Sequence, residues 1–160
     1  IRVWAGDRDS SAADAAYRQA AALDARRCAG MAAEWGITLS LEFHAGTLTD
    51  TAASTLALLA EAGADNLFTY WQAFEGKSRA ENLADLSALG DRLSNVHCHS
   101  HRGGVIGPLE ETADWPTFLR AAAQDGKDRW ALIEFVAGHQ AAALMHDALV
   151  LKNWLTALSG

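Results

Sequence analysis

The sequence predicts an α/β fold of five parallel strands alternating with five helices, arranged as part of a barrel. Three observations predict it. Strand-like runs at 1–5, 37–44, 66–71, 93–99 and 130–136 alternate with helical patterns at 12–35, 50–62, 78–91, 115–125 and 140–157, and strands separated by helices form parallel sheets. Within the strands, apolar and polar residues alternate, with the polar face richest at the C-terminal end. A doubly wound sheet buries both faces and favours continuous apolar strands, whereas a (β/α)8 barrel packs one face on helices and opens into a polar mouth. The alternation therefore favours a partial (β/α)8 barrel with helices on the outer face.

Each element has its own warrant. In ITLSLEFH, Leu39, Leu41 and Phe43 share one face, and Thr38, Ser40, Glu42 and His44 the other, because strand side chains alternate. In LIEFV, Ile133 and Phe135 oppose Leu132, Glu134 and Val136, and Val96 and Cys98 oppose Asn95, His97 and His99. The first, second, fourth and fifth helices are dense in alanine, the best helix former. Thr49 or Asp50 is expected to cap the second helix, and Asp114 before Trp115 and Pro116 to start the fourth. Gly36, Gly63, Gly90 and Gly126 fall near helix ends, where a left-handed residue is useful.

Length and composition narrow the function. The 160 residues, half of them hydrophobic, suit one domain over 1–160. A net charge of -7 argues against nucleic acid, which demands clustered Lys and Arg. No apolar run approaches the roughly 20 residues of a membrane span. Cys28, in a helix, and Cys98, in a strand, are expected to be free buried thiols, which fits a cytoplasmic compartment. The chain lacks an initiator Met and opens on a strand, so it reads as a fragment or processed product whose activity in isolation is not expected. Unpaired edge strands are sticky, so pairing with a second copy as a homo-oligomer is a further expectation.

The polar strand ends carry the chemistry. A carboxylate inside an apolar strand is costly unless paired or metal-bound. For Glu42 the readings are a functional carboxylate or a salt bridge with Arg2. Glu134 repeats the pattern in a chain short of basic partners, and each Glu could bind a divalent ion or exchange a proton. His97 and His99 put two rings on one strand face, a spacing metal sites use and structural histidines share. His44 could be a ligand, a substrate contact or a support for a ligand. Gln72 offers a carbonyl oxygen to a metal or hydroxyl. Trp71 suits stacking on a sugar or a place in the core, and Trp4 is equally ambiguous. Arg102, in the glycine-rich HSHRGGVIG, is either an anion anchor or a solvated loop residue; Ser100 lies in the same stretch. His139 and His146 receive no role. No P-loop, nucleophile elbow or Rossmann glycine pattern occurs. Mixed carboxylate and imidazole ligands suit Mn²⁺, Mg²⁺, Co²⁺ or Zn²⁺ without choosing among them.

The ordered set LEFH, YWQ, NVHCHS and LIEFV resembles the xylose isomerase-like barrel superfamily of sugar isomerases and epimerases, over nearly the whole chain. IRVWAG resembles that family's fourth strand and the other four runs strands five to eight, leaving the first three absent. The resemblance implies a divalent metal held by Glu, Asp, His and Glu on strands five to eight. Glu42, His97 and Glu134 match the first, third and fourth of these. If Gln72 stands at the place of the family's histidine three residues beyond the Asp, Thr69 replaces the Asp, and the metal is then differently placed or bound through Gln72. Ser100 stands where a carboxylate is common. The implied chemistry is that one of Glu42 and Glu134 removes a sugar C–H proton to give an enediolate and the other returns it, the substrate being a small sugar or sugar phosphate contacted by His44, Trp71, His99 and Arg102. Within the same superfamily a hydrolase of abasic DNA is an alternative, and a non-catalytic half-barrel binding protein is a third class.

Overall fold

The computed structural model describes residues 1–111 and 114–158. Its contacts divide the chain into two compact units, Ile1–Trp71 with Ala88–Ser94, and Gln72–Ser87 with Asn95–Gly160. The strand order is β1-β2-β3-β4-β7, with β5 and β6 as a separate pair.

The first unit contains β1 (Arg2–Val3), α1 (Ala15–Ala33), β2 (Leu39–Glu42), α2 (Ala52–Ala62), β3 (Leu67–Trp71) and the start of β4 (Leu93–Cys98). β1 and β2 are parallel, with Arg2 opposite Ser40, and β2 and β3 likewise, with Leu41 opposite Thr69. The predicted phase is realised here. Leu39, Leu41 and Leu67 join one core cluster with Ala22, Ala29, Leu58, Leu59 and Ala62 from the two helices. Alanines at the buried positions of α1 bring that helix close to the strands. On the opposite phase, Ser40 Oγ lies 2.9 Å from Ser94 Oγ, and the Ser94 hydroxyl donates to the Thr69 carbonyl at 3.0 Å. The helix-facing side is an apolar seal; the other carries Ser40, Ser94 and Glu42 beside Phe68 and Tyr70.

The helix ends follow their sequence signals with one correction. Asp14 caps α1, accepting the Tyr17 N–H at 2.7 Å. Gly63, at φ 60°, closes α2 and donates to the Leu59 carbonyl. The cap of α2 is Thr51, which accepts the Ser54 N–H at 3.1 Å, not Thr49 or Asp50. Both of those side chains are engaged elsewhere. The Thr49 hydroxyl bonds the Glu42 carbonyl, and Asp50 accepts the Ser10 N–H at 2.9 Å.

The second unit contains most of α3 (Arg79–Leu89), the remainder of β4, β5 (His101–Arg102), β6 (Val105–Ile106), α4 (Trp115–Ala122), β7 (Ala131–Ile133) and α5 (Ala141–Leu158). β4 and β7 are parallel, with His97 opposite Leu132. On α4, buried Trp115, Phe118, Leu119 and Ala122 recur at helical spacing, which is the seam of an amphipathic helix. Trp115 is fully buried, and its indole N–H donates to the His99 carbonyl at 2.8 Å. β5 and β6 form a hairpin inside the glycine-rich stretch expected to be loop. Gly103 and Gly104, both at positive φ, supply the two central residues that tight hairpin turns favour. Cys28 and Cys98 are both free, but Cys28 is only half-buried where full burial was expected. Burial pushes the Cys98 thiol well above its ordinary pKa. No described helix is long and apolar enough to cross a membrane.

Candidate functional site

In the first unit the residue that matters is Glu42, the last of β2. It is 1% exposed, so its charge requires donors. Arg2 Nη1 and the Trp4 indole N–H both reach its Oε2. The Arg2 salt bridge read from the sequence therefore exists, and Trp4 is a partner the sequence reading left unassigned. The signal was present: Arg2 and Trp4 are two residues apart in the strand-like run IRVWA, and Arg2 pairs in register with Ser40, two before Glu42. His44 lies beyond the strand end, half-buried, its ring stacked on Trp4 at 4.7 Å. Thr69 is buried, and its hydroxyl donates to the Leu41 carbonyl at 2.9 Å. Trp71 ends β3 with no exposed surface.

In the second unit, His97 near the end of β4 faces Glu134 just past β7, with Nδ1 3.3 Å from Oε2. Their placement follows from the ladder. The Glu134 N–H donates to the Cys98 carbonyl at 2.9 Å, one step beyond the last β4–β7 pair. Immediately after Glu134, Phe135 adopts φ 63°, a conformation unusual for a bulky residue and often found where a site dictates the backbone. Its ring lies 6.0 Å from that of His101, and His101 lies 4.6 Å from His99. Gln72 is buried, and its Oε1 has no hydrogen-bond partner among the described residues. Because a buried oxygen without a donor is costly, this atom suits a cation or a substrate hydroxyl. Ser100 is buried, and Arg102 is exposed on β5.

A cavity of about 210 Å³ lies in the same unit, lined by Phe74, Lys77, Arg79, His99, His101 and Asp114 among others. Its cations are already paired, Lys77 with Asp85 and Arg79 with Asp114. Asn82 shapes the segment after Gln72 by accepting the Phe74 N–H at 2.9 Å and donating to the Phe74 carbonyl at 3.1 Å.

A model of the xylose isomerase-like TIM barrel family matches residues 1–154. Among solved structures, the chain is similar to the probable 3-DHS dehydratase AsbF of Bacillus anthracis, involved in petrobactin synthesis, with 25% identity and a TM-score of 0.80 over 96% of this chain and 63% of that one. It shares its fold with an L-ribulose 3-epimerase, at 18% identity and TM-score 0.72, covering 92% of this chain and 57% of that one. A xylose isomerase-like TIM barrel protein from Mycobacterium smegmatis in complex with magnesium is similar at 17% identity and TM-score 0.72, covering 92% and 53%. The chain thus spans less than two thirds of each of these proteins. No curated protein matches it.

Proposed function

The chain belongs to the xylose isomerase-like TIM barrel family, and from that premise we propose that it is a metal-dependent sugar or sugar-phosphate isomerase or epimerase. In this reading β1, β2, β3, β4 and β7 are counterparts of the family's strands four to eight. The proposed ligands are Glu42, His97, Glu134 and Gln72. The observation that carries the proposal is the His97–Glu134 pair at two adjacent strand ends, supported by the orphaned Oε1 of Gln72. Imidazole, carboxylate and amide oxygen together fit Mn²⁺, Mg²⁺, Co²⁺ or Zn²⁺.

A divalent ion held there supplies Lewis acidity to a carbonyl oxygen and so acidifies the neighbouring C–H. Glu134 takes that proton, with His97 holding its carboxylate in place, and Glu42 returns a proton on the other face or at the next carbon. Arg2 and Trp4 hold the Glu42 side chain in place. His44, Trp71, His99 and Arg102 complete the proposal as substrate contacts, Trp71 the weakest because its ring is buried.

A second reading has its own support. The 25% identity with the probable 3-DHS dehydratase extends over 96% of this chain. Dehydration of a β-hydroxyketone uses the same first step, removal of a proton beside a carbonyl, followed by departure of the β-hydroxyl as water when the same base hands that proton to the leaving oxygen. It requires one base rather than a matched pair, which suits a Glu42 already engaged by Arg2 and Trp4.

The test uses the full-length protein, stripped by chelator and reloaded with Mn²⁺, against a panel of ketoses, aldoses and their phosphates followed by NMR. The proposal expects turnover restored by metal and lost in Glu134→Gln and Glu42→Gln. Full turnover in both variants contradicts it, and a conjugated product absorbing in the ultraviolet selects dehydration instead.

A further inference from the structure

The second unit carries another group of ligating side chains, outside the strand ends. His146 and Asp147 lie on α5, and Glu110 lies in the Pro108–Glu111 turn that follows the β5–β6 hairpin. One ligand atom from each of Glu110, His146 and Asp147 lies within 4.8 Å of the others. His146 Nε2 is 2.8 Å from Glu110 Oε1. We infer that these three residues form a second divalent-metal site, selective for a late first-row ion such as Zn²⁺, which fastens the turn after the hairpin to α5.

Asp147 distinguishes this group from an ordinary surface pair. An exposed Glu–His contact contributes little and needs no third member. Asp147, however, is 2% exposed in the first half of a helix, and burying a carboxylate is costly without a cation. Among the described residues its one hydrogen bond is from the Leu109 N–H to Oδ1 at 3.2 Å, and no salt bridge compensates it. That bond fixes the carboxylate beneath the turn, while Glu110 and His146 stand above it, both accessible to an incoming ion. The fixed inner ligand and two adjustable outer ones close on a tetrahedral ion at Zn–O and Zn–N distances of roughly 2.0–2.2 Å with small side-chain movements. The fourth position is left to water. An imidazole among the ligands disfavours Mg²⁺ and Ca²⁺, which prefer all-oxygen shells. Binding is an exchange: the ion takes the place of the proton shared by His146 and Glu110, and that proton passes to solvent.

The inference does not depend on the proposed function, since it uses none of Gln72, Glu42, His97 or Glu134. It is tested on the full chain in metal-free buffer by following the imidazole NMR signals of His146, assigned by their absence in His146→Ala, during titration with Zn²⁺ and separately with Mg²⁺. The expected result is a His146 response that saturates by two equivalents of Zn²⁺, or by one if the strand-end site does not compete for the ion, and is absent with Mg²⁺. The same response should persist in His97→Ala, so failure of the strand-end site leaves it unchanged. Glu110→Gln and Asp147→Asn should weaken it by at least about tenfold, the loss that removing even an outer partner of a metal site produces. His146 signals unmoved by a large excess of Zn²⁺ overturn the inference, as does a response unaltered by Glu110→Gln, an exposed change that leaves the fold intact.

Discussion

Glu42 and Glu134 are carboxylates at comparable strand ends, yet their surroundings differ. Glu42, in the first unit, is 1% exposed and receives both a guanidinium and an indole N–H. Glu134, in the second, is partly exposed and faces a histidine, with a strained Phe135 beside it and the unsatisfied Gln72 oxygen elsewhere in the unit. The lesson is that the first unit commits its strand-end carboxylate to holding its segments together. The second leaves polar groups in reserve, which is where a ligand has something to gain.

That contrast can be broken or sharpened by substitution. The largest expected effect is catalytic: Glu134→Gln in the full-length enzyme should lower kcat by roughly 10²–10⁴-fold, the range of a lost general base, with thermal stability little changed. A large stability loss with turnover intact would make Glu134 structural and erase the contrast. In the first unit the expected effects are on folding. Leu41→Ala removes a fully buried side chain from the cluster with α1 and α2 and should cost about 2–5 kcal/mol by denaturant titration. Arg2→Ala strips Glu42 of its cation. Breaking a buried pair costs about 3–5 kcal/mol, but Arg2 is 40% exposed, so a loss on the order of 2–3 kcal/mol is expected after allowance for screening. No loss would mean that the Trp4 N–H and the other contacts of Glu42 sustain it without the guanidinium.

The smallest effect is a pH dependence. The bond from Arg129 holds the Asp125 carboxyl far below the usual carboxylate range. A depressed folded pKa stabilises above the unfolded value, about 4, and that contribution disappears as pH falls through the folded pKa. Asp125→Asn should therefore be less stable than the parent at pH 7, with the difference closing in acid below about pH 4. A difference constant with pH in thermal melts would show that the carboxylate charge plays no part.

Much of the fold was legible because two periodicities coincide. Every expected strand and helix contains its observed counterpart or overlaps it to within a few residues, since Leu39 and Leu41 alternate with polar neighbours and alanine fills the helices between. The β5–β6 hairpin was not legible: its strands are two residues each, and only Gly103–Gly104 announces it. The α2 cap shifted to Thr51 because tertiary bonds to Glu42 and Ser10 claim Thr49 and Asp50. Among the candidate residues, strand phase put forward Glu42, His97 and Glu134, but phase cannot say which partner wins. Trp4 on Glu42 and the left-handed Phe135 depend on contacts between distant segments. The division into two compact units is likewise a property of packing that no local pattern carries.

The central claim, proton transfer at carbon by these strand-end carboxylates, is tested most directly by isotope exchange. The full-length, metal-loaded enzyme would be incubated with its sugar substrate in deuterated water and the recovered sugar read by NMR. The account predicts deuterium at the single carbon beside the carbonyl, appearing at or above the rate of turnover in the parent and abolished in Glu134→Gln. Turnover with no solvent deuterium in substrate or product would contradict it.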